Sequence, residues 1–106
     1  MEKIYKVETY LPKEALENIK SGLYSLGFGK VGKYDCCLTW YEVQSSWRPM
    51  SGANPYLGSI GEIELAPEYK LEFRCSEKDL KDAIATIKKN HPYEEVCINI
   101  IPIITL

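Results

Sequence analysis

The sequence has no excess of basic charge. Its 106 residues include 13 Lys and Arg against 15 Asp and Glu, which gives a formal net charge of −2 at pH 7. Binding of DNA or RNA through phosphate contacts requires a concentrated basic surface. We therefore expect no nucleic-acid partner.

A long apolar run is also missing. No segment approaches the roughly 20 apolar residues of a membrane-spanning helix. The opening residues 1–3 lead into an alternating strand-like pattern where a signal peptide would have its apolar core. These absences predict a cytoplasmic protein with no membrane partner.

Cysteines are few and lack the setting of a disulfide framework. Cys36, Cys37, Cys75 and Cys97 occur without a secretory signal and beside apolar residues, which favours reduced, buried thiols. Cys75 and Cys97 lie in strand-like patterns, and we expect both in the core. With 45% hydrophobic and 26% charged residues, the chain has the composition of one globular domain, 1–106, for which we expect no cofactor.

An internal repeat organises the chain. Shifting the sequence by 64 positions places Tyr5 on Tyr69 within a strand pattern, and Leu16 on Leu80 within a helix pattern. One offset therefore aligns a strand and its helix. Two copies are too few for a solenoid, and they indicate duplicated halves of one α+β domain.

The hydrophobic periodicity predicts two βαβ units. Helices are predicted from Pro12 to Gly27 and from Ser76 to Asn90. Four strands are predicted, at 4–10, 34–42, 69–75 and 96–106. Interleaving the two units gives a ferredoxin-like duplicated βαβ sandwich, with an antiparallel sheet and both helices on one face. Residues 43–68 are predicted to form an extra hairpin or a loop.

The final strand indicates an oligomer. No charged side chain occurs from Val96 to Leu106, and an exposed apolar edge of this kind is prone to aggregation. The sheet face opposite the helices also needs an explanation, since the helices cover one side. We therefore expect a homo-oligomer that covers these surfaces.

One glycine motif is excluded by its context. Residues 27–32, GFGKVG, match the G-x-G-x-x-G dinucleotide pattern, but that pattern requires a strand before it and a helix after it. Here the predicted order is reversed. Gly27 is therefore predicted to end the first helix, and the other glycines to form a turn.

Two chemical alternatives stay open. Metal binding would use His91 with Glu94 or a cysteine, although the cysteine spacing is unlike that of a structural zinc site. A thiol-dependent enzyme would need a cysteine, His91 as base and an orienting Asp35 or Asn54. No catalytic signature surrounds any of the cysteines.

A Gly- and Pro-rich string surrounds a single arginine. Residues 47–56, WRPMSGANPY, fix an irregular backbone around Arg48, whose guanidinium can hold a carboxylate bidentately. That carboxylate belongs either to a ligand or, as we favour, to Glu94 or Glu95 of the same or a neighbouring subunit.

Four strings occur in order along the chain. They are GKVGKYDC at 29–36, WRP at 47–49, GANP at 52–55 followed by Gly58 and Gly61, and HPYEE at 91–95. Together they resemble the PII/CutA-like domain that is inserted in the YqfO branch of the Nif-three-like dinuclear-metal proteins and that also occurs as a stand-alone chain. The resemblance covers nearly the whole length and implies a ferredoxin-like core with an extra hairpin. The family's dinuclear metal site does not carry over, because the chain lacks a second histidine.

The resemblance further implies a trimer, related in shape to PII and CutA proteins, with ligands in clefts between subunits. The candidate ligand-binding residues are Arg48, Asn54, His91, Tyr93 and Glu94, and no catalytic or metal-binding residue is assigned. We expect a non-catalytic, homo-oligomeric binding or regulatory module for a small-molecule ligand or a protein partner. The alternatives are divalent-metal handling of the CutA type and thiol-dependent catalysis.

Overall fold

The fold is a four-stranded sheet covered on one face by two helices. The computed structural model describes residues 2–106. All strand pairs are antiparallel, in the order β2-β3-β1-β4, which confirms the predicted ferredoxin-like α+β architecture. In chain order the elements are β1 (Ile4–Leu11), α1 (Leu16–Ser25), β2 (Thr39–Trp47), β3 (Glu64–Ser76), α2 (Leu80–Lys89) and β4 (Ile98–Ile103).

The turn and helix of the first half have counterparts of the same length in the second half. A 3₁₀ turn precedes each helix, at Lys13–Ala15 and at Glu77–Asp79. The residue before each turn is extended, with φ and ψ of −65° and 148° at Pro12 and of −71° and 155° at Ser76. Turns and helices of the two halves are offset by 64 residues, which confirms the internal repeat.

The core lies between the sheet and the helices. Alternate residues of β1 and β3 face the helices, whose predicted apolar stripes supply the opposing side chains. The fully buried apolar residues are Val7, Leu11, Ile19, Leu23, Leu71, Ala83 and Ile87. Ile98 and Ile100 of β4 pack against this cluster, so both halves of the duplicated fold contribute to one core.

The opposite face of the sheet carries a layer of paired charge. Glu8 lies 3.6 Å from Lys6 and 3.4 Å from Lys70, and Glu72 lies 3.6 and 3.8 Å from the same two ammonium groups. Asn99 Nδ2 donates a hydrogen bond of 3.1 Å to Glu8 Oε1. This bond and the two lysines lower the pKa of Glu8 against the opposing effect of burial. The centre of the open face is therefore an ion network whose charges are paired within the chain.

A two-stranded arm, residues 43–68, extends beyond the body of the sheet. Pairing of β1 with β3 ends at Leu11 and Tyr69, whereas β2 pairs with β3 as far as Trp47 and Glu64. Residues 43–47 and 64–68 thus pair only with each other, and a loop joins them. The extra hairpin predicted for this segment is present, as a direct continuation of β2 and β3.

The start of β2 corrects the predicted strand at 34–42. Cys36 adopts φ +57°, a left-handed conformation that interrupts a strand. The N–H groups of Cys36 and Cys37 donate 2.9 Å hydrogen bonds to the carbonyls of Phe28 and Gly29, which folds the chain back onto the end of α1. The strand therefore begins at Thr39. Gly27, at φ +69°, follows the end of α1 as predicted, and β2 is the next element.

The cysteines confirm one expectation and correct another. All four are free thiols, and burial of Cys75 in the core raises its pKa to about 11. Cys97 is exposed, so its predicted place in the core was wrong. It precedes β4, where its backbone carbonyl accepts a 2.8 Å hydrogen bond from Thr9 Oγ1. β4 itself covers 98–103, a shorter strand than the predicted 96–106.

Within residues 2–106, no helix is both long enough and apolar enough to cross a membrane.

Two glycines of the turn should respond differently to alanine. Gly29 and Gly32 have φ of +82° and +58°. A Cβ on Gly29 would lie 2.8 Å from the backbone N and O of Cys37, whereas no other described atom lies within 4 Å at Gly32. We expect Gly32→Ala to lower the free energy of unfolding by about 1 kcal/mol. Gly29→Ala should lower it by about 2–4 kcal/mol, because a backbone clash adds to the dihedral strain.

Urea denaturation of the two variants measures both losses. Equal losses would contradict a close backbone contact at Gly29.

Candidate functional site

A groove opens where the arm meets the body of the protein, with a volume of about 790 Å³. One wall is the arm from Ser45 to Leu57, and the other is the segment 93–97 between α2 and β4. Glu68 of β3 and Tyr10 of β1 complete the lining. The groove therefore draws on both halves of the duplicated fold.

His91 fixes the position of the second wall. It is 8% exposed, its Nε2 lies 2.8 Å from the carbonyl oxygen of Tyr10, and its Nδ1 accepts the backbone N–H of Tyr93 at 3.1 Å. A ring nitrogen that accepts a hydrogen bond carries no proton, so the proton lies on Nε2 and the imidazole is neutral. Burial lowers the pKa of His91, although the bond to Tyr10 and the charge of Glu68 oppose this effect.

Tyr93 stands at the centre of an aromatic cluster. Its ring centroid lies 4.7 Å from that of His91, 5.7 Å from that of Tyr56 and 6.1 Å from that of Trp47. The Tyr93 hydroxyl donates a 2.7 Å hydrogen bond to Glu68 Oε2. Burial, followed by this bond, raises the pKa of Tyr93, so the hydroxyl stays a neutral donor at physiological pH.

Glu94 ties the arm to the second wall. Its two carboxylate oxygens accept the backbone N–H of Asn54 at 2.9 and 3.1 Å. On the arm itself, Trp47 Nε1 donates a 3.1 Å hydrogen bond to the carbonyl of Leu57. Both walls of the groove are thus held by polar bonds that the chain makes with itself.

Arg48 lines the groove and forms no ion pair with any of residues 2–106. The sequence led us to favour a pair with Glu94 or Glu95, but none of the ion pairs among residues 2–106 includes Arg48. The prediction is wrong for a contact within the chain. Glu94 instead meets the Asn54 amide, so its carboxylate is already engaged.

The five candidate residues gather at this groove in different ways. Arg48, Tyr93 and Glu94 line it, Asn54 joins it through its backbone N–H, and His91 lies behind Tyr93. Their role in ligand binding stays a prediction. The residue that sequence reasoning missed is Glu68. It stands in a strand with alternating polar residues, where the local pattern does not indicate that its side chain is buried against Tyr93.

The donor set does not favour metal or thiol chemistry at His91. Both ring nitrogens are engaged, so neither is free to bind a metal or to take a proton from a thiol. Among residues 2–106, no three His, Cys, Asp or Glu side chains are grouped to hold a metal ion. Burial and the nearby Asp35 raise the pKa of Cys36, the opposite of an activated thiol.

Comparison with known proteins gives relatives that are much longer than this chain. No family model matches it. It is 38% identical over 98 residues to a GTP cyclohydrolase 1 type 2 homolog of Bacillus subtilis, a match that covers 92% of the chain and 26% of the relative. The homolog of Staphylococcus epidermidis is 39% identical over 90 residues, covering 85% of the chain and 25% of the relative.

Solved structures share the whole fold. A Bacillus cereus protein related to NIF3 matches with a TM-score of 0.85 and 25% identity, over 98% of this chain and 26% of that one. The periplasmic divalent cation tolerance protein CutA of Archaeoglobus fulgidus matches with a TM-score of 0.70 and 20% identity, over 94% and 83% of the two chains. GlnK of Bacillus subtilis matches with a TM-score of 0.66 and 20% identity, over 95% of this chain and 85% of that one.

The chain has a PII/CutA-like fold and resembles one part of NIF3-related proteins. This confirms the resemblance read from its four strings. The PII/CutA-like chain spans about a quarter of the length of the curated relatives it matches.

Stability of the protein should depend on the protonation of His91, the one histidine of the chain. The folded protein lowers its pKa, so the unfolded chain, with a pKa of about 6.5, takes up the proton first as pH falls. The free energy of unfolding should be maintained above about pH 7 and should decrease as pH falls through about 6.5 toward the lower folded pKa.

Urea denaturation at a series of pH values measures this slope, and the imidazole resonances give the folded pKa directly. His91→Gln should flatten the slope in this range. A folded pKa above 6.5, or a slope that survives in the variant, would contradict the neutral, doubly bonded imidazole.

Loss of the Glu94 carboxylate should free the arm loop. Glu94→Ala removes the acceptor of the Asn54 N–H, a charge-assisted bond at an exposed position, so we expect about tenfold faster hydrogen exchange at the Asn54 amide. Glu95→Ala is the matched control and should leave this rate unchanged. Equal rates in the wild type and both variants would show that the bond does not hold the loop.

Proposed function

We propose that the chain is a non-catalytic binding or regulatory module that assembles as a homotrimer and holds a ligand in the groove at the subunit boundary. The observation that carries this proposal is the position of the groove at the base of an arm with an uncovered apolar surface. The likeness to CutA and PII proteins supports it, since this resemblance implies a trimer with clefts between subunits.

The arm carries apolar side chains that its own chain leaves exposed. Ile63 is 69% exposed and Leu65 is 74% exposed. The exposed apolar residues of the arm are Met50, Tyr56, Leu57, Ile60, Ile63 and Leu65. A two-stranded ribbon is marginally stable by itself, and a cluster of exposed apolar side chains is typical of a contact surface. We infer that another copy of the chain covers the arm.

β4 offers a complementary surface on the opposite edge of the sheet. It is an outer strand in a segment without charged side chains, and Ile101 and Ile104 are exposed. An arm that reaches over the β4 edge of a neighbour would cover both apolar surfaces. Such a head-to-tail contact can close into a ring, and a ring of three is the one that the resemblance implies.

The groove has the properties of a small-molecule site. It is concave, it is lined by aromatic and apolar side chains, and it contains a few polar groups, which is the usual composition of ligand pockets. Because it lies at the base of the arm, docking of the arm on a neighbour would bring the groove to the boundary between subunits. We therefore expect assembly and ligand binding to be coupled.

Divalent-metal handling is the second candidate, supported by the likeness to a protein described as a divalent cation tolerance protein. His91 is the residue on which a metal site would most naturally depend, but both of its nitrogens are engaged. Zinc or copper affinity that is lost in His91→Ala would favour this candidate. Affinity that is unchanged in the variant would remove its main support.

Assembly should depend on the apolar surface of the arm. Sedimentation velocity of the wild-type protein should give a species of three 12.1-kDa chains. Leu65→Glu places a charge in the proposed contact and should give monomers, since a buried unpaired carboxylate costs several kcal/mol. Leu26→Glu is the matched control, because Leu26 is also exposed but lies at the end of α1.

A wild-type protein that sediments as a monomer at 100 µM would contradict the proposal. So would Leu65→Glu retaining the wild-type mass.

A further inference from the structure

The groove is acidic in spite of its arginine. Three carboxylates line it, those of Glu68, Glu94 and Glu95, against the single guanidinium of Arg48. Arg48 is exposed and pairs with none of the three. The balance of charge therefore favours a positively charged occupant over an anion.

The most buried of these carboxylates, that of Glu68, has one oxygen without a hydrogen-bond partner among residues 2–106. Glu68 is 4% exposed, and its Oε2 accepts the Tyr93 hydroxyl at 2.7 Å. Its Oε1 makes no hydrogen bond or ion pair with any of residues 2–106. This oxygen is not sealed from solvent, because the buried side-chain atom without a partner among residues 2–106 is Glu72 Oε2. A donor that enters the groove can therefore reach Glu68 Oε1.

An aromatic cluster adjoins this carboxylate through Tyr93. The Tyr93 hydroxyl donates a hydrogen bond to Glu68. The ring centroids of Trp47 and Tyr56 lie 6.1 and 5.7 Å from that of Tyr93. All three aromatic residues line the groove. The negative faces of such rings attract cations, most strongly when water is excluded. Aromatic faces beside a buried carboxylate are therefore suited to an organic cation with a flat, donor-rich head.

We propose that the groove binds a small organic cation of the amidinium or guanidinium class, held by Glu68 Oε1 and by the aromatic faces of Trp47, Tyr56 and Tyr93. This inference rests on the proposed function and names the chemical class of its ligand. Glu68 would accept the hydrogen bonds of the cation, and the rings would cover its plane. Arg48, at the exposed side of the groove, would disfavour ligands that bring a second positive charge there.

Three isosteric probes of different charge test this inference. Benzamidine is a cation, benzamide is neutral and benzoate is an anion, while the ring is the same in all three. The indole N–H resonances of the two tryptophans report binding. Trp47 lines the groove, whereas Trp40 is not part of its lining. Lys20 Nζ lies 4.5 Å from the centroid of the Trp40 ring, and the Trp40 resonance serves as the internal control.

Benzamidine should shift the Trp47 resonance, leave that of Trp40 in place, and bind at least about tenfold more tightly than benzamide. Benzoate should not bind measurably. Glu68→Gln should weaken benzamidine binding about tenfold or more, because the charge is lost while the shape is kept. Tyr93→Phe keeps the ring and frees Glu68 Oε2, so it should bind benzamidine as well as the wild type or up to about threefold more tightly.

Benzoate binding that exceeds benzamidine binding and is lost in Arg48→Gln would overturn the inference in favour of an anion site. Equal binding of all three probes, or none by any of them, would overturn it as well. Sedimentation of the same samples distinguishes the proposed ligand class from the proposed trimer. A trimer that does not bind benzamidine would refute the ligand class but would still support the trimer.

Discussion

The imidazole of His91 joins parts of the chain that are far apart in sequence. Through Nε2 it holds the carbonyl of Tyr10 at the end of β1, and through Nδ1 it holds the N–H of Tyr93 after α2. These bonds set the direction in which the chain leaves α2, so that the Tyr93 ring turns toward the arm and its hydroxyl reaches Glu68. The wall of the groove therefore depends on one neutral, buried ring.

This arrangement also explains why the histidine is a poor candidate for metal binding or proton transfer. A ring whose two nitrogens are both hydrogen-bonded and whose pKa is lowered has a structural role, since it connects the Tyr10 carbonyl to the Tyr93 amide. The chemistry available at the groove is instead that of aromatic faces, three carboxylates and one arginine. Such a set is suited to holding a molecule, as the proposed binding module requires.

Much of the fold could be predicted from the sequence, because the repeat places two similar strand–turn–helix patterns 64 residues apart. The start of β2 could not, since the β-forming residues around Cys36 are overruled by hydrogen bonds to the turn after α1. At the site, the motif strings led to Arg48, Asn54, His91, Tyr93 and Glu94. Glu68 was missed because its hydrogen-bond partner is Tyr93, 25 residues further along the chain, and no local pattern records such a contact.

We propose that this chain works as an assembled binding module, with the groove as its ligand site. Native mass spectrometry of the protein as purified is the decisive experiment, because one spectrum reports the number of subunits and any molecule retained with them. We expect an assembly of three 12.1-kDa chains with added mass from a small organic cation. A bare monomer at every concentration tested would contradict it.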